Sequence, residues 1–120
     1  MKIYVVGGGP AGVIAAAQAA CAGNDVTLIE KNEKLLKKLF ITGKGRCNVT
    51  NDCDIEDFLQ HVSKNSNFCY SAIYTFPPEN VMELIAMNGT PVKTERGNRV
   101  FPKSDKSSDI IRALERYLKN

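Results

Sequence analysis

The sequence predicts an α/β fold, and three consecutive stretches at its start predict it. Residues 2–6 (KIYVV) are a short apolar run rich in β-branched side chains, the composition of a buried strand. Residues 13–22 are almost pure alanine with Val, Ile and Gln, the composition of a tightly packed helix. Residues 25–29 (DVTLI) are a second strand-like run, and Glu30 ends it. Between the first strand and the helix lies Gly7-Gly8-Gly9-Pro10-Ala11-Gly12.

Strand, glycine turn, helix, strand and acid together form one βαβ unit with a dinucleotide-binding fingerprint, a Rossmann-like arrangement. Gly7 permits the tight turn out of the strand. Gly9, lacking a Cβ, admits a pyrophosphate close to the backbone, and Gly12 lets the helix approach the sheet. Unpaired N–H groups and partial positive charge at the helix start suit phosphate oxygens. Pro10 near the first turn lacks an N–H that the helix leaves unpaired anyway. Glu30 stands 18 residues after Gly12, near the spacing of a carboxylate that accepts ribose hydroxyls. A 2′-phosphate there meets negative charge, which argues against NADP at this site. The pattern alone does not separate FAD from NAD.

Composition narrows the class. The 120 residues suffice for one small domain, and 43% hydrophobic with 24% charged residues is ordinary for a soluble globular protein. The net charge of +3 is spread along the chain, so no nucleic-acid footprint is read. No run of 18 apolar residues is present, so no membrane span is expected. The first 23 residues resemble a signal peptide only superficially. Three glycines and Pro10 break the apolar stretch, and a cytoplasmic, reducing compartment is the expectation. Cys21, Cys47, Cys53 and Cys69 form no C-x-x-C pair, and His61 is the only histidine, so neither a metal site nor a disulfide framework is expected.

Residues 31–39 (KNEKLLKKL) read as a short amphipathic helical segment, with Leu35, Leu36 and Leu39 inward and Lys34, Lys37 and Lys38 solvated. Lys31 directly follows the ribose acid and is placed beside an adenosine. Residues 40–51 (FITGKGRCNVTN) combine Gly43, Lys44, Gly45 and Arg46 with the turn-favouring Asn48, Thr50 and Asn51. Such a loop is either an anion nest or a surface loop with incidental charges. Asp54 caps a helix over residues 55–62, whose apolar positions are Ile55, Phe58, Leu59 and Val62. Residues 65–76 form a second short helix, in which Tyr70 and Tyr74 serve packing. Pro77-Pro78 opens a third, which Asn88-Gly89 stops. Residues 92–95 and 99–101 flank Arg96-Gly97-Asn98 as a β-hairpin with a basic tip that includes Arg99 and Lys103. Ser107-Ser108-Asp109 caps a final helix over residues 110–119.

Three blocks carry a resemblance: residues 7–12 (GGGPAG), residues 42–51 (TGKGRCNVTN), and residues 95–102 (ERGNRVFP) with Ser104-Asp105-Lys106 behind them. Through them the chain resembles the N-terminal part of a bacterial flavoprotein family, the NAD(P)/FAD-dependent oxidoreductases related to aminoacetone oxidases and bile-acid dehydro-reductases. The resemblance implies FAD in the first fingerprint, with Gly7, Gly9, Ala11 and Gly12 along the pyrophosphate and Glu30 on the adenosine ribose. It places the loop of residues 42–51 along the flavin, with Gly43, Arg46 and Asn48 as contacts. It also implies NAD(P)H as a transient reductant and an organic small molecule as substrate. Disulfide reductases with a related fingerprint carry a C-x4-C dithiol near this point. Here Cys47 and Cys53 are spaced C-x5-C, so Cys47 is read as structural.

The resulting organisation is a βαβ unit and flavin-side loop over residues 1–53, a helical and hairpin insert over 54–107, and a returning helix over 108–120. Two parallel strands are few for such a sheet, and members of the family are several hundred residues long. The chain is therefore expected to be an incomplete FAD domain, inactive alone. Two other readings stay open: an NAD-binding domain, and a non-catalytic piece that pairs with a second copy into a homodimer through exposed sheet edges. The sequence names no catalytic acid, base or nucleophile.

Overall fold

The computed structural model describes residues 1–120. Strand β1 (Lys2–Val6) leads through the glycine turn into helix α1 (Pro10–Cys21), which returns to strand β2 (Asp25–Ile29). The two strands are parallel, in register from Lys2 opposite Asp25 to Val6 opposite Ile29. Alternation decides their faces: Ile3 and Val5 are half-buried, whereas Tyr4, Val6 and Ile29 lie on an open face. Both strands thus fall on the residues expected, while the helix starts at Pro10, ahead of the alanine-rich stretch, and ends at Cys21.

A 3₁₀ segment (Leu39–Gly45) follows, then β3 (Thr50–Asn51), helices α2 (Ile55–Gln60), α3 (Ser66–Thr75) and α4 (Pro78–Met87), strands β4 (Val92–Glu95) and β5 (Arg99–Pro102), and helix α5 (Ser107–Lys119). Strands β3, β5 and β4 form an antiparallel sheet in that order. The hairpin is as expected, but β3 is not. Thr50 and Asn51 pair with Val100 and Arg99 instead of remaining in a loop. Asp54 caps α2 by accepting the Asp57 N–H at 2.8 Å.

Two expectations are corrected. Residues 31–38 form no helix. The Leu36 N–H donates to the Gly8 carbonyl at 2.8 Å with Leu36 at φ +62°, and this tertiary bond replaces helical ones. The side-chain split survives: Leu36 and Leu39 are buried while Lys34, Lys37 and Lys38 are exposed. The last helix begins at Ser107, not after it, with Lys106 as its N-cap. Ser107 does not cap, because its buried hydroxyl donates to the Phe40 carbonyl at 2.7 Å and ties α5 to the 3₁₀ segment.

Helix α5 packs across α1. Its apolar face (Ile110, Ala113, Leu114) joins Val13, Leu36, Leu39, Cys47 and Ile85 in one core. Small side chains on both helices (Ala16, Ala17, Ala113) allow the close approach. No helix is long and apolar enough to cross a membrane.

Candidate functional site

The glycine turn combines a positive φ, one close approach and one open position. Gly7 (φ +104°) lies in the region that favours glycine, and its N–H extends the ladder to the Ile29 carbonyl at 2.8 Å. A Cβ on Gly12 would stand 1.8 Å from the Gly7 carbonyl oxygen, so the start of α1 rests directly on the turn. Gly9 is the opposite case. It is the N-cap of α1, it is exposed, and a Cβ built on it meets no heavy atom within 4 Å. Open space therefore faces the helix start at Gly9 and the exposed Ala11. Phosphate oxygens fit such a cradle of free N–H groups.

Glu30 stands beside it. Its Oε1 accepts the Gly8 N–H at 2.8 Å and its Oε2 accepts the Asn32 N–H at 2.7 Å. These two backbone bonds, Asn32 first, hold its carboxyl below the ordinary value of 4.5, with the Lys31 charge adding to them. Each oxygen retains acceptor capacity, so the anchored carboxylate can take a pair of hydroxyls. Lys31 is exposed next to it.

Gly8 is a position on which the site's geometry depends and which the sequence did not single out. It is buried, it donates to Glu30, it accepts from Leu36, and a Cβ there would fall 2.5 Å from Leu35 Cδ2. The signal was the third consecutive glycine, one more than the fingerprint demands.

The loop residues gather elsewhere. Gly43 (φ +56°) packs on the Asn48 backbone, its Cβ direction ending 2.7 Å from the Asn48 nitrogen. With its amide nitrogen turned toward the carbonyls, the Asn48 side chain donates to Thr50 O at 3.0 Å and Val100 O at 3.3 Å. Arg46 binds Glu95 and Asp105 and lies 3.9 Å from the Phe101 ring centroid. All three thus pack against or bond to residues of β4, β5 and the turn after β5.

A cavity of about 320 Å³ joins the two groups. Its walls include Pro10 and Ile14 of α1, Thr42, Cys47 and Asn48 of the loop, and Ile85 of α4. Ten of its 14 lining residues are hydrophobic, so it suits an apolar group with a few polar atoms at its edge.

The remaining candidates carry no chemistry of their own. All four cysteines are free. Burial pushes the Cys47 thiol up, and desolvation together with Asp57, Asp54 and Asp52 pushes Cys53 up, the reverse of an activated thiolate. Tyr70 and Tyr74 stack on each other at 4.4 Å, and the Tyr74 hydroxyl donates to Glu56. The basic hairpin tip is solvated, with Arg96, Arg99 and Lys103 all exposed.

A parallel βαβ unit with an open glycine cradle and an anchored acid at the end of β2 defines a Rossmann-like dinucleotide-binding domain. The chain belongs to the HI0933-like protein Rossmann domain family, which it matches over residues 1–120. It is 32% identical over 120 residues to a 3-dehydro-bile acid delta(4,6)-reductase of Clostridium scindens, covering 98% of this chain and 29% of that protein. It is 35% identical over 85 residues to a ribosomal RNA dihydrouridine synthase of Escherichia coli, covering 71% of this chain and 21% of that one. The corresponding Haemophilus influenzae protein is 34% identical over 98 residues, covering 81% and 24%. The chain therefore spans less than a third of the length of these curated relatives.

Proposed function

We propose that this chain is the FAD-binding part of a flavin-dependent oxidoreductase that works in the cytoplasm. One observation carries the reading: the open space at Gly9, on the N-terminus of α1, beside a Glu30 carboxylate already oriented by two backbone N–H groups. The backbone of Gly7, Gly9, Ala11 and Gly12 holds the pyrophosphate. Glu30 takes the adenosine ribose, with Lys31 at its side. The apolar cavity beyond Pro10 receives the ring system, and the loop that carries Gly43, Arg46 and Asn48 forms one wall of it. A flavin held there would supply hydride transfer, with NAD(P)H as the donor. The chain's own residues bind it, orient it and keep water from the apolar wall.

The relatives' names suggest the substrate chemistry of the whole protein. A bile acid and ribosomal RNA are unlike molecules, yet a delta(4,6)-reductase and a dihydrouridine synthase share one kind of reaction, the addition of hydrogen across a ring double bond. We assign this protein the same class of reaction on a small cyclic molecule. The bile-acid relative matches nearly the whole chain, over 120 residues against 85 for the Escherichia coli synthase.

Titration of purified protein with FAD and with NAD, read by flavin absorbance and fluorescence, tests the cofactor. Saturable FAD binding with a shifted visible spectrum supports the reading. Preference for NAD, or no FAD binding by the full-length protein, refutes it. NAD(P)H consumption on addition of a cyclic enone, but not of ribosomal RNA, tests the substrate class.

A further inference from the structure

Arg46 looks like a ligand-binding cation in the sequence, but its charged edge is committed inside the fold. Its Nη2 reaches Glu95 Oε2 at 2.5 Å and Asp105 Oδ1 at 2.8 Å, and its Nε donates to Asp105 Oδ1 at 2.9 Å. Lys93 bridges the same two acids, at 3.1 Å to Glu95 and 2.9 Å to Asp105. Two cations and two carboxylates thus close a neutral ring, and the face of Phe101 covers the Arg46 guanidinium at 3.9 Å. Three of the four ring members come from β4 and the turn after β5. Only Arg46 comes from the loop.

That loop needs an external anchor. Lys44 (φ +55°) and Cys47 (φ +62°) are non-glycine residues in the left-handed region, separated by a glycine in the same region and Arg46. Short-range bonds hold them, Arg46 N–H to Gly43 O at 3.1 Å and Cys47 N–H to Thr42 O at 3.0 Å. Beyond Cys47 the Asn48 side chain and the Val49 N–H tie the end of the loop to the Val100 carbonyl, leaving Arg46 as the side-chain anchor of its middle. Thr42, Cys47 and Asn48 nevertheless form a wall of the cavity.

We propose that Arg46 is a positioning residue: clamped by Glu95, Asp105 and Phe101, it holds residues 43–48 in the conformation that walls the cavity, and it does not itself touch the cofactor. The inference deepens the flavin reading and rests on it for its cofactor arm only. The test compares wild type, Arg46→Gln, Arg46→Lys and Glu95→Gln in the full-length protein. Each is measured twice: amide hydrogen exchange of residues 43–48 without cofactor, and FAD affinity with the visible circular dichroism of the bound flavin.

Arg46→Gln is expected to speed exchange in the loop about tenfold and to weaken FAD about fivefold, the scale of a lost multi-bond ion pair at a partly exposed site. Arg46→Lys, which keeps the charge but not the planar fork, recovers part of both. Glu95→Gln moves both readouts in the same direction although Glu95 lies on β4, because it acts through Arg46. The proposal is overturned if Arg46→Gln weakens FAD while loop exchange stays at the wild-type rate, or if Glu95→Gln leaves both unchanged. Should Arg46→Gln fail to fold, Arg46→Lys and Glu95→Gln decide alone. If the wild type binds no FAD, the flavin reading falls, and the exchange arm still decides the role of Arg46.

Discussion

Replacing Gly12 by alanine asks whether helix and turn are in real contact. The new Cβ would lie 1.8 Å from the Gly7 carbonyl oxygen and 3.0 Å from the Gly7 carbonyl carbon. Both are backbone atoms, so no side chain can swing away. To restore even a tight contact, α1 must withdraw by more than 1 Å from the turn. It carries Val13, Ala16 and Ala17, all buried, with it. Overpacking of this kind costs about 1–3 kcal/mol or more, and the helix propensity gained from Gly→Ala returns at most about 1 kcal/mol. The net expectation is a loss of about 1–2 kcal/mol, or a Tm lower by about 4–8 °C for a domain of this size. Gly9→Ala is the internal control. Its Cβ meets nothing within 4 Å, so stability should stay within about 0.5 kcal/mol of wild type. Thermal and urea unfolding followed by far-UV circular dichroism measures both. A Gly12→Ala protein as stable as wild type would refute the contact and, with it, the account of how α1 is aimed.

The other predictions concern ligand, pH and thiols. Gly9→Val fills the open space at the helix start and Glu30→Ala removes the proposed ribose acceptor. Each should weaken FAD in the titration above, and an unchanged affinity in both would remove the proposed site. The folded-state pKa values of Glu30, Glu95 and Asp105 all lie below their ordinary values, through backbone N–H groups for Glu30 and through Arg46 and Lys93 for the acid pair. Their contribution to stability is therefore complete above the ordinary carboxylate range and lost as pH falls through the depressed values. Lys93 is raised by the same acids, so its share is complete below the ordinary lysine value and lost at higher pH. Urea midpoints should accordingly fall below about pH 4, and Glu30→Gln should flatten that limb. Under iodoacetamide, buried Cys47 should be alkylated far more slowly than exposed Cys21, as peptide mass spectrometry would show. Equal rates would contradict the inert, structural reading of Cys47.

Legibility from sequence followed the range of the interactions. The βαβ unit, the N-cap at Asp54 and the hairpin depend on neighbours a few residues apart, and their glycine, proline and apolar spacing state them directly. Residues 31–38 show the limit. Their amphipathic pattern correctly sorted leucines from lysines, but the backbone answers to the Gly8 carbonyl, more than 25 positions away. The loop after them is legible in another way. Composition leaves it as either an anion nest or a surface loop, and only the family resemblance implies Gly43, Arg46 and Asn48 as cofactor contacts. The structure shows each of them bonded or packed against the fold itself.

The sequence alone determined the class of fold, the open glycine turn and the acid that ends the second strand, because a helix start, a tight turn and a strand end are local geometries that only certain residues permit. The tertiary structure decided what the charges are for. Whether a guanidinium meets a phosphate or a carboxylate depends on which distant strand the chain folds against it. Arg46 meets Glu95 and Asp105, 49 and 59 positions away.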